Sequence, residues 1–400
     1  MTKEKILLIG IDGGATKVAA WHVNVEQNGQ SFTLGENNTV VNYNDLPEFN
    51  TDFVPVPINT QLKEFNDNTI HLTKEEKNQG DVYITACTKA IITLTQITCR
   101  SNLLIGLGMP GLKTADKRGI AVLANGPRIP DYAARLEENL KQAGINLAAP
   151  IRKLGSDADY CGIGENHTKH GNFADSTNAY YLGGGTGAAD AMKLNGHLLP
   201  FDEAKLWIAK CWEMQTKENI SLEKYASSAG IQFLYGQNSH LSFQTIQDRK
   251  LYPRQIADLA LTGDQAAINT YSAISDNLAL LFYERISTIY CGWQNIFTFV
   301  NPKRTISMEN HSFKGILLDR IVIGQRLSEL MRSRAGQEVL SKPVLENLSR
   351  FIGNSTCMDE HARTHYLHGA SFRDDRFVLS NLREAAALGA AIDAFQLFFK

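Results

Sequence analysis

Lys5-Ile-Leu-Leu-Ile-Gly-Ile-Asp-Gly-Gly-Ala-Thr-Lys-Val-Ala-Ala-Trp-His-Val-Asn24 is the stretch on which the reading of the whole chain turns. An apolar run ends on Asp12, Gly13-Gly14 interrupts it, and Val18 to Asn24 resumes it. That pattern predicts a buried strand, a tight turn and a second strand. The turn also carries chemistry. The backbone N–H groups of Gly13 and Gly14 can come close to an anion, because no side chain stands in the way. Thr16 and Lys17 add a hydroxyl and a positive charge suited to a terminal phosphate. Asp12 is placed to orient Mg2+, through water, since magnesium keeps several waters and prefers carboxylates and phosphate oxygens. The same residues also occur in hairpin turns that hold nothing, so this turn alone leaves both readings open.

A second stretch repeats the arrangement. Ala179-Tyr-Tyr-Leu-Gly-Gly-Gly-Thr-Gly187, continued by Ala188 to Lys193, is again strand, glycine turn, strand. Three consecutive glycines at a strand end are entropically costly unless the backbone must approach something closely. The echo suggests two similar halves, each presenting a turn to a polyphosphate. Other phosphate loops fit badly. The chain has no G-x-x-x-x-G-K-[ST], and no G-x-G-x-x-G set between an early strand and a helix.

Between the two turns, Ile151-Arg-Lys-Leu-Gly-Ser-Asp-Ala-Asp-Tyr-Cys-Gly-Ile-Gly-Glu165 puts Asp157 and Asp159 at a strand end, just before small residues of helical character. A carboxylate there can accept the proton of a hydroxyl that attacks phosphorus. Equally, Ser156 or Asp157 can simply cap a helix, and spacing does not separate the two.

Elsewhere, Asp81 to Gln96, Tyr132 to Ala143, Glu203 to Thr216, Asp264 to Ile289, a segment from Leu327 and Leu382 to Phe399 are predicted helices. Asn102 to Gly111 and Gly315 to Gly324 read as strands. Glu26 to about Asp81 is polar and rich in Asn, Thr and Pro, which predicts edge strands and surface loops.

With 43% hydrophobic and 20% charged residues over 400, the chain is long enough for two domains with sizeable cores. Lys plus Arg total 40 against Asp plus Glu 42, so no overall field recruits nucleic acid or anionic lipid. No segment approaches the roughly 18 apolar residues of a membrane span, and the amino terminus lacks the marks of a signal peptide. A cytoplasmic protein is the expectation. Six cysteines are scattered without a C-x-x-C pair, which argues against a zinc knuckle or a disulfide framework. His197 and Cys211 are read as a turn histidine and a packed cysteine, and His361 and His365 as part of a solvated helix face.

In order, Asp12-Gly-Gly-Ala-Thr-Lys17, Gly108-Met-Pro-Gly111, Ser156-Asp-Ala-Asp-Tyr-Cys-Gly-Ile-Gly-Glu165, Gly183-Gly-Gly-Thr-Gly187, Asn195-Gly-His197 and Ala387-Leu-Gly-Ala-Ala391 resemble the motifs of the ROK family of sugar kinases and repressors. The resemblance implies an α/β chain with the two-domain actin-like (ribonuclease H-like) ATPase fold, each domain a mixed five-stranded sheet flanked by helices. Its domains would be residues 1–125 with 380–400, and 126–379. It implies ATP-dependent phosphorylation of a hexose or N-acetylhexosamine, with ATP and Mg2+ as cofactors and Asp157 as base.

Asp12, Gly13, Gly14, Thr16 and Lys17 then match a first phosphate loop, and Gly184, Gly185, Thr186 and Gly187 a second. Gly324 stands where the family sets glycines against the adenosine, and Ser228 to Ile231 match a segment near the nucleotide. Asn125 and Gly126 match a loop that touches sugar hydroxyls. The family's Gly-Glu-x-Gly-His motif is not recognisable, which leaves Glu203 or Asp202 as a stand-in, and its cysteine-rich zinc motif is missing. The first motif starts at residue 10, leaving no room for the helix-turn-helix of family repressors, so nucleic-acid binding is not expected. A homodimer is an open expectation. A different class of function, a silent sugar- or nucleotide-binding protein of the same fold, stays open beside the kinase.

Overall fold

In the computed structural model, which describes residues 6–26 and 29–399, the opening run forms the strand Leu7–Gly13 and turns back through Lys17–Glu26. Expectations that rest on Met1 to Lys5, and on Gln27 and Asn28, lie outside the described residues. Lys17–Glu26 lies antiparallel to Leu7–Gly13 and to Ser31–Asn42, while Asn102–Gly108 runs parallel on the other side and continues the sheet to Asn146–Leu147. Leu154–Gly155 also pairs with Asn102–Gly108.

Successive strand residues face opposite ways, and both faces are covered, which is why the sequence reads as unbroken apolar runs. Leu7, Ile9 and Ile11 share a core with Val82, Cys87, Ile91 and Leu94 of the helix Lys74–Thr98. Leu8 and Leu104 share another with Leu388, Ala391 and Ile392 of the carboxy-terminal helix Ala385–Phe399. That helix lies directly on the sheet backbone. A Cβ on Gly10 would come 1.9 Å from the carbonyl oxygen of Ala387, and one on its register partner Gly106 would come 1.8 Å from that of Ala390. Gly389 meets the carbonyl of Tyr160 at 1.9 Å in the same way.

The second sheet has the same order and the same senses. Ala188–Leu194 lies antiparallel between Ala179–Gly184 and His197–Leu198, and Arg320–Gly324 and then Phe377–Leu379 extend the sheet in parallel. Its core joins Tyr180, Leu182, Ile321 and Ile323 to Leu278, Phe282 and Ile286 of the helix Gln265–Cys291. Each half is thus a mixed sheet flanked by helices, as the resemblance implied, with six strands in the first sheet and five in the second.

The chain divides into two compact units. One runs to Lys169 and resumes at Glu384; the other is His170–Arg383. Residues 126–169, assigned above to the larger domain, therefore go with the first unit. The reason is their pairing: Asn146–Leu147 and Leu154–Gly155 are both hydrogen-bonded to Asn102–Gly108.

Two local expectations change. The stretch 26–81 holds a helix at Ile58–Asn66 and the first turns of Lys74–Thr98, the latter started by a reciprocal cap in which Thr73 Oγ1 accepts from Glu76 N at 3.1 Å and Glu76 Oε2 accepts from Thr73 N at 3.2 Å. Glu203 to Thr216 is not a helix. Only Phe201–Ala204 is α-helical and Cys211–Glu213 forms a single 3-10 turn, because the main chain is bonded to distant side chains: Cys211 N, for instance, donates to the buried Asp190 at 2.8 Å. Among the described residues no helix is long and apolar enough to cross a membrane.

Candidate active site

In the first unit, the strand end at Asp12 brings a half-buried carboxyl to the glycine turn. Burial pushes this carboxyl up from 3.8 to about 7, and the negative charges of Asp157 and Glu384 push the same way; Lys17 pulls it back. Asp157 is the first residue of the helix Asp157–His167, where the exposed N–H ends favour a carboxylate. Ser156 makes no side-chain cap; Asp157 Oδ1 accepts from Ala158 N at 3.0 Å. Glu384, immediately before the carboxy-terminal helix, was not anticipated. In sequence it reads as an ordinary acidic residue ahead of an alanine-rich helix.

The turn itself is fastened by its carbonyls. Tyr43 Oη donates to Gly14 O at 3.1 Å, Tyr83 Oη to Ala15 O at 3.2 Å, Tyr43 N to Thr16 O at 3.0 Å and Gly14 N to Lys17 O at 2.9 Å. The two tyrosine rings stack with centroids 3.9 Å apart. The carbonyls of residues 14 to 17 are thus occupied by protein, and the Gly14 N–H is itself used to close the turn. The two glycines have separate reasons. A Cβ on Gly13 would lie 2.0 Å from Met109 Sδ, whereas the nearest atom to one on Gly14 is 3.6 Å away. Gly14 is therefore the open position and Gly13 a packing one. Thr16 is exposed.

Tyr83 also supports the loop that carries Asn125. A Cβ on the buried Gly126 would stand 2.9 Å from Tyr83 Oη. Buried Gln61 holds the same loop from both sides, accepting from Leu123 N at 2.8 Å and donating to Leu123 O at 3.1 Å. Beneath it the buried Arg128 makes a two-pronged bond to Glu76 at 2.8 Å and also pairs with Glu64. Asn125 is left exposed at the tip.

In the second unit the turn Gly184 to Gly187 is built on the same plan. Gly185 N donates to Gly187 O at 2.8 Å, Ser228 N donates to Gly185 O at 3.0 Å, and Glu223 Oε1 accepts from Ala188 N at 3.2 Å. Gly184 is pressed against neighbours, since its Cβ would lie 2.1 Å from Ala226 O. Beside this turn opens a cleft of about 230 Å3, lined among others by Gly184, Ser228, Ile231, Tyr252, Arg326 and Leu327. Ser228 and Ile231, the ends of the segment that the resemblance sets near the nucleotide, line the cleft. Gly324 does not line it: Tyr181 Oη would be 2.1 Å from a Cβ there, so the glycine admits a tyrosine, and the cleft wall is supplied by the residues after it.

Glu203 is exposed on the four-residue helix Phe201–Ala204, beside Asp202, which pairs with Lys210 at 3.0 Å. His197 is exposed and Cys211 is buried against Asp190, so the two form no metal pair, and among the described residues no group of three His, Cys, Asp or Glu is placed to hold a metal ion. None of the six cysteines is in a disulfide. Asp12, Asp157, Lys17 and the Asn125 loop belong to the first unit; the second glycine turn, its cleft and Glu203 belong to the second.

No family model matches the chain, and no curated protein matches it by sequence. Solved structures do match in fold over nearly all of it. A ROK family glucokinase from Streptomyces griseus, determined with glucose and AMPPNP, superposes with a TM-score of 0.56 at 15% identity, covering 98% of this chain and 99% of that one. A ROK hexokinase from Thermus thermophilus gives 0.52 at 15% identity, with 98% and 99% covered. A ROK family transcriptional regulator, a homologue of the E. coli MLC protein, gives 0.54 at 12% identity, covering 98% of this chain and 78% of the regulator. The chain therefore has the actin-like ATPase fold that ROK sugar kinases share.

Proposed function

We propose that the protein is an ATP-dependent kinase that phosphorylates a hydroxyl of a hexose or N-acetylhexosamine. The observation that carries this reading is the carboxylate pair at the first glycine turn, Asp12 at a strand end and Asp157 at a helix start, close enough that the charge of one raises the proton affinity of the other. Two carboxylates gathered at one turn can divide the work of charge handling and proton acceptance. Asp157 is the base: it takes the proton of the acceptor hydroxyl as that oxygen attacks the γ-phosphorus, the bond from phosphorus to the β,γ-bridging oxygen breaks, and ADP leaves. Lys17 and Thr16 hold the transferred phosphoryl group beside the open Gly14 position. The turn 184–187 and its cleft hold the rest of the nucleotide.

Negative charge gathers at the first turn, and a divalent cation there would be held by Asp12 together with the nucleotide's phosphates and water, not by a set of protein ligands alone. Asp12, Asp157 and Glu384 supply negative charge, and Lys17 alone among the groups acting on Asp12 opposes it. Mg2+ bound through Asp12 would neutralise charge on the phosphates. Asn125 and Glu203 are assigned to the sugar, on the support of the resemblance and of their exposure.

A panel of hexoses and N-acetylhexosamines, assayed for ADP release with ATP and Mg2+, tests this. Asp157→Asn is expected to lower kcat by at least about a hundredfold, the usual weight of a general base, with nucleotide affinity unchanged. A wild-type chain that binds sugar and ATP but turns over none of the panel would instead be a silent binding protein, the reading favoured by the unrecognisable sugar motif around Glu203.

A further inference from the structure

The four-residue helix Phe201–Ala204 closes on Ala204 O, which accepts from Trp207 N at 3.0 Å and Ile208 N at 3.1 Å, and the chain then presents the carbonyls of Lys205 and Ile208. They are taken from a hundred residues away. Arg304 donates through one guanidinium nitrogen to Lys205 O, and through the same nitrogen to Ile208 O at 3.2 Å, while its other terminal nitrogen is bonded to the neighbouring Thr305 O. Its Nε lies 3.6 Å from Glu213 Oε1, and its guanidinium sits 5.5 Å from the centre of the Phe299 ring.

Arg304 belongs to a long excursion between the helix Gln265–Cys291 and the strand Arg320–Gly324, in which Thr298–Phe299 is the only strand among the described residues. A connection of that length in a packed domain is usually functional. Here it runs along the segment after Phe201–Ala204 and is stitched to it at several points. Thr298–Phe299 pairs with Met214–Gln215, Val300 N donates to Glu213 O at 2.9 Å, and Met308 N donates to Leu206 O at 2.9 Å. Trp207 stacks on His311 with centroids 3.9 Å apart.

We infer that Arg304 is a positioning residue for the acceptor side of the site: by capping the main chain at Lys205 and Ile208 it fixes the helix that carries Glu203, and so sets the affinity for the sugar and not for the nucleotide. The inference rests on the proposed assignment of Glu203 to the sugar. A planar guanidinium can serve two carbonyls, a carboxylate and a ring face at once, and an ammonium cannot. The Arg304→Lys variant is therefore expected to recover only part of the effect.

The test compares Arg304→Ala and Arg304→Lys with the wild type by amide hydrogen exchange over 201–213, and by calorimetric titration with glucose, mannose, N-acetylglucosamine, N-acetylmannosamine and AMPPNP. In Arg304→Ala the expected results are exchange at least tenfold faster over 201–213, a sugar dissociation constant weakened about tenfold and an AMPPNP constant within twofold of wild type. In turnover, the sugar KM rises while kcat holds within about threefold. Arg304→Lys should fall between. Unchanged exchange over 201–213, an unchanged sugar constant, or sugar and AMPPNP constants that weaken together would each overturn the inference. Sugar binding that weakens as expected in a chain with no turnover supports the inference and sinks the kinase reading, because calorimetry does not need catalysis.

Discussion

Burial and two neighbouring carboxylates raise Asp12 far above the usual carboxylate range, to about 7, and this has a thermodynamic consequence. Its folded pKa is raised from 3.8 to about 7, so between those values the folded state holds more protons than the unfolded chain. Stability therefore falls as pH rises from about 4 to about 7, and the full penalty persists above that. At about 1.4 kcal/mol per pH unit in which the two states differ, the penalty is roughly 4 kcal/mol at most. Asp12→Asn removes it. The variant is expected to melt several degrees above wild type at pH 8 and within a degree or two of it at pH 4, measured by thermal denaturation without divalent cations, while losing most of its phosphotransfer activity. Equal melting temperatures at pH 8 would mean that the carboxyl is not strained by its surroundings. Added Mg2+ should narrow the gap at pH 8, because a bound cation favours the ionised form. Burial and the two neighbouring carboxylates create this strain together. Asp12 and Asp157 could be singled out from their places at strand ends, but Glu384 is 227 residues beyond Asp157 in sequence, and nothing local marks it.

At the scale of elements, the carboxy-terminal helix is what the glycines of the first sheet are for. The oxygen of Ala390 lies where a Cβ of Gly106 would go, at 1.8 Å, and the helix main chain has no side chain to swing aside. Gly106→Ala should therefore push the helix off the sheet and cost at least about 2 kcal/mol, read from urea denaturation. Gly14→Ala is the control: its nearest neighbour would be 3.6 Å away, so the folded state should lose no more than about 0.5 kcal/mol. A Gly106→Ala protein as stable as Gly14→Ala would refute the close approach. The strands, both glycine turns and the long helices were legible from period and from turn residues, since those signals are local. The helix start at Lys74 was equally legible in Thr73-x-x-Glu76 but was masked by the polar text around it. The failure at Glu203 to Thr216 has a different origin. Its apolar spacing suits a helix, but Asp190 and Arg304, both distant in sequence, take its main-chain groups, and no window of sequence contains them.

Over the whole molecule, the same sheet order and strand senses appear twice, and the second unit is one uninterrupted stretch while the first is completed only by the chain's last helix. The repeated glycine turns made the duplication readable, but the division at Lys169 was not, because Asn146–Leu147 and Leu154–Gly155 are too short to leave a period. The asymmetry predicts different fates for the two parts when separated. Residues 170–383 contain the whole of their own core, from Tyr180 to Phe372. Expressed alone, they should give a cooperative melt by far-ultraviolet circular dichroism and a structured near-ultraviolet spectrum, as a domain with its own core does. Residues 1–169 should not. Without Leu388, Ala391 and Ile392 the core on the face of Leu8 and Leu104 keeps only Val23 and Phe32 of its other buried residues, and the sheet backbone at Gly10 and Gly106 loses the helix packed on it. That fragment is expected to keep helical signal but lose its near-ultraviolet spectrum and melt without a sharp transition. Adding the peptide 384–400 in excess should restore a cooperative melt, since a segment that binds only the folded form stabilises it by mass action. A fragment 1–169 that melts sharply without the peptide would show that the last helix is an accessory and not the second wall of the first core.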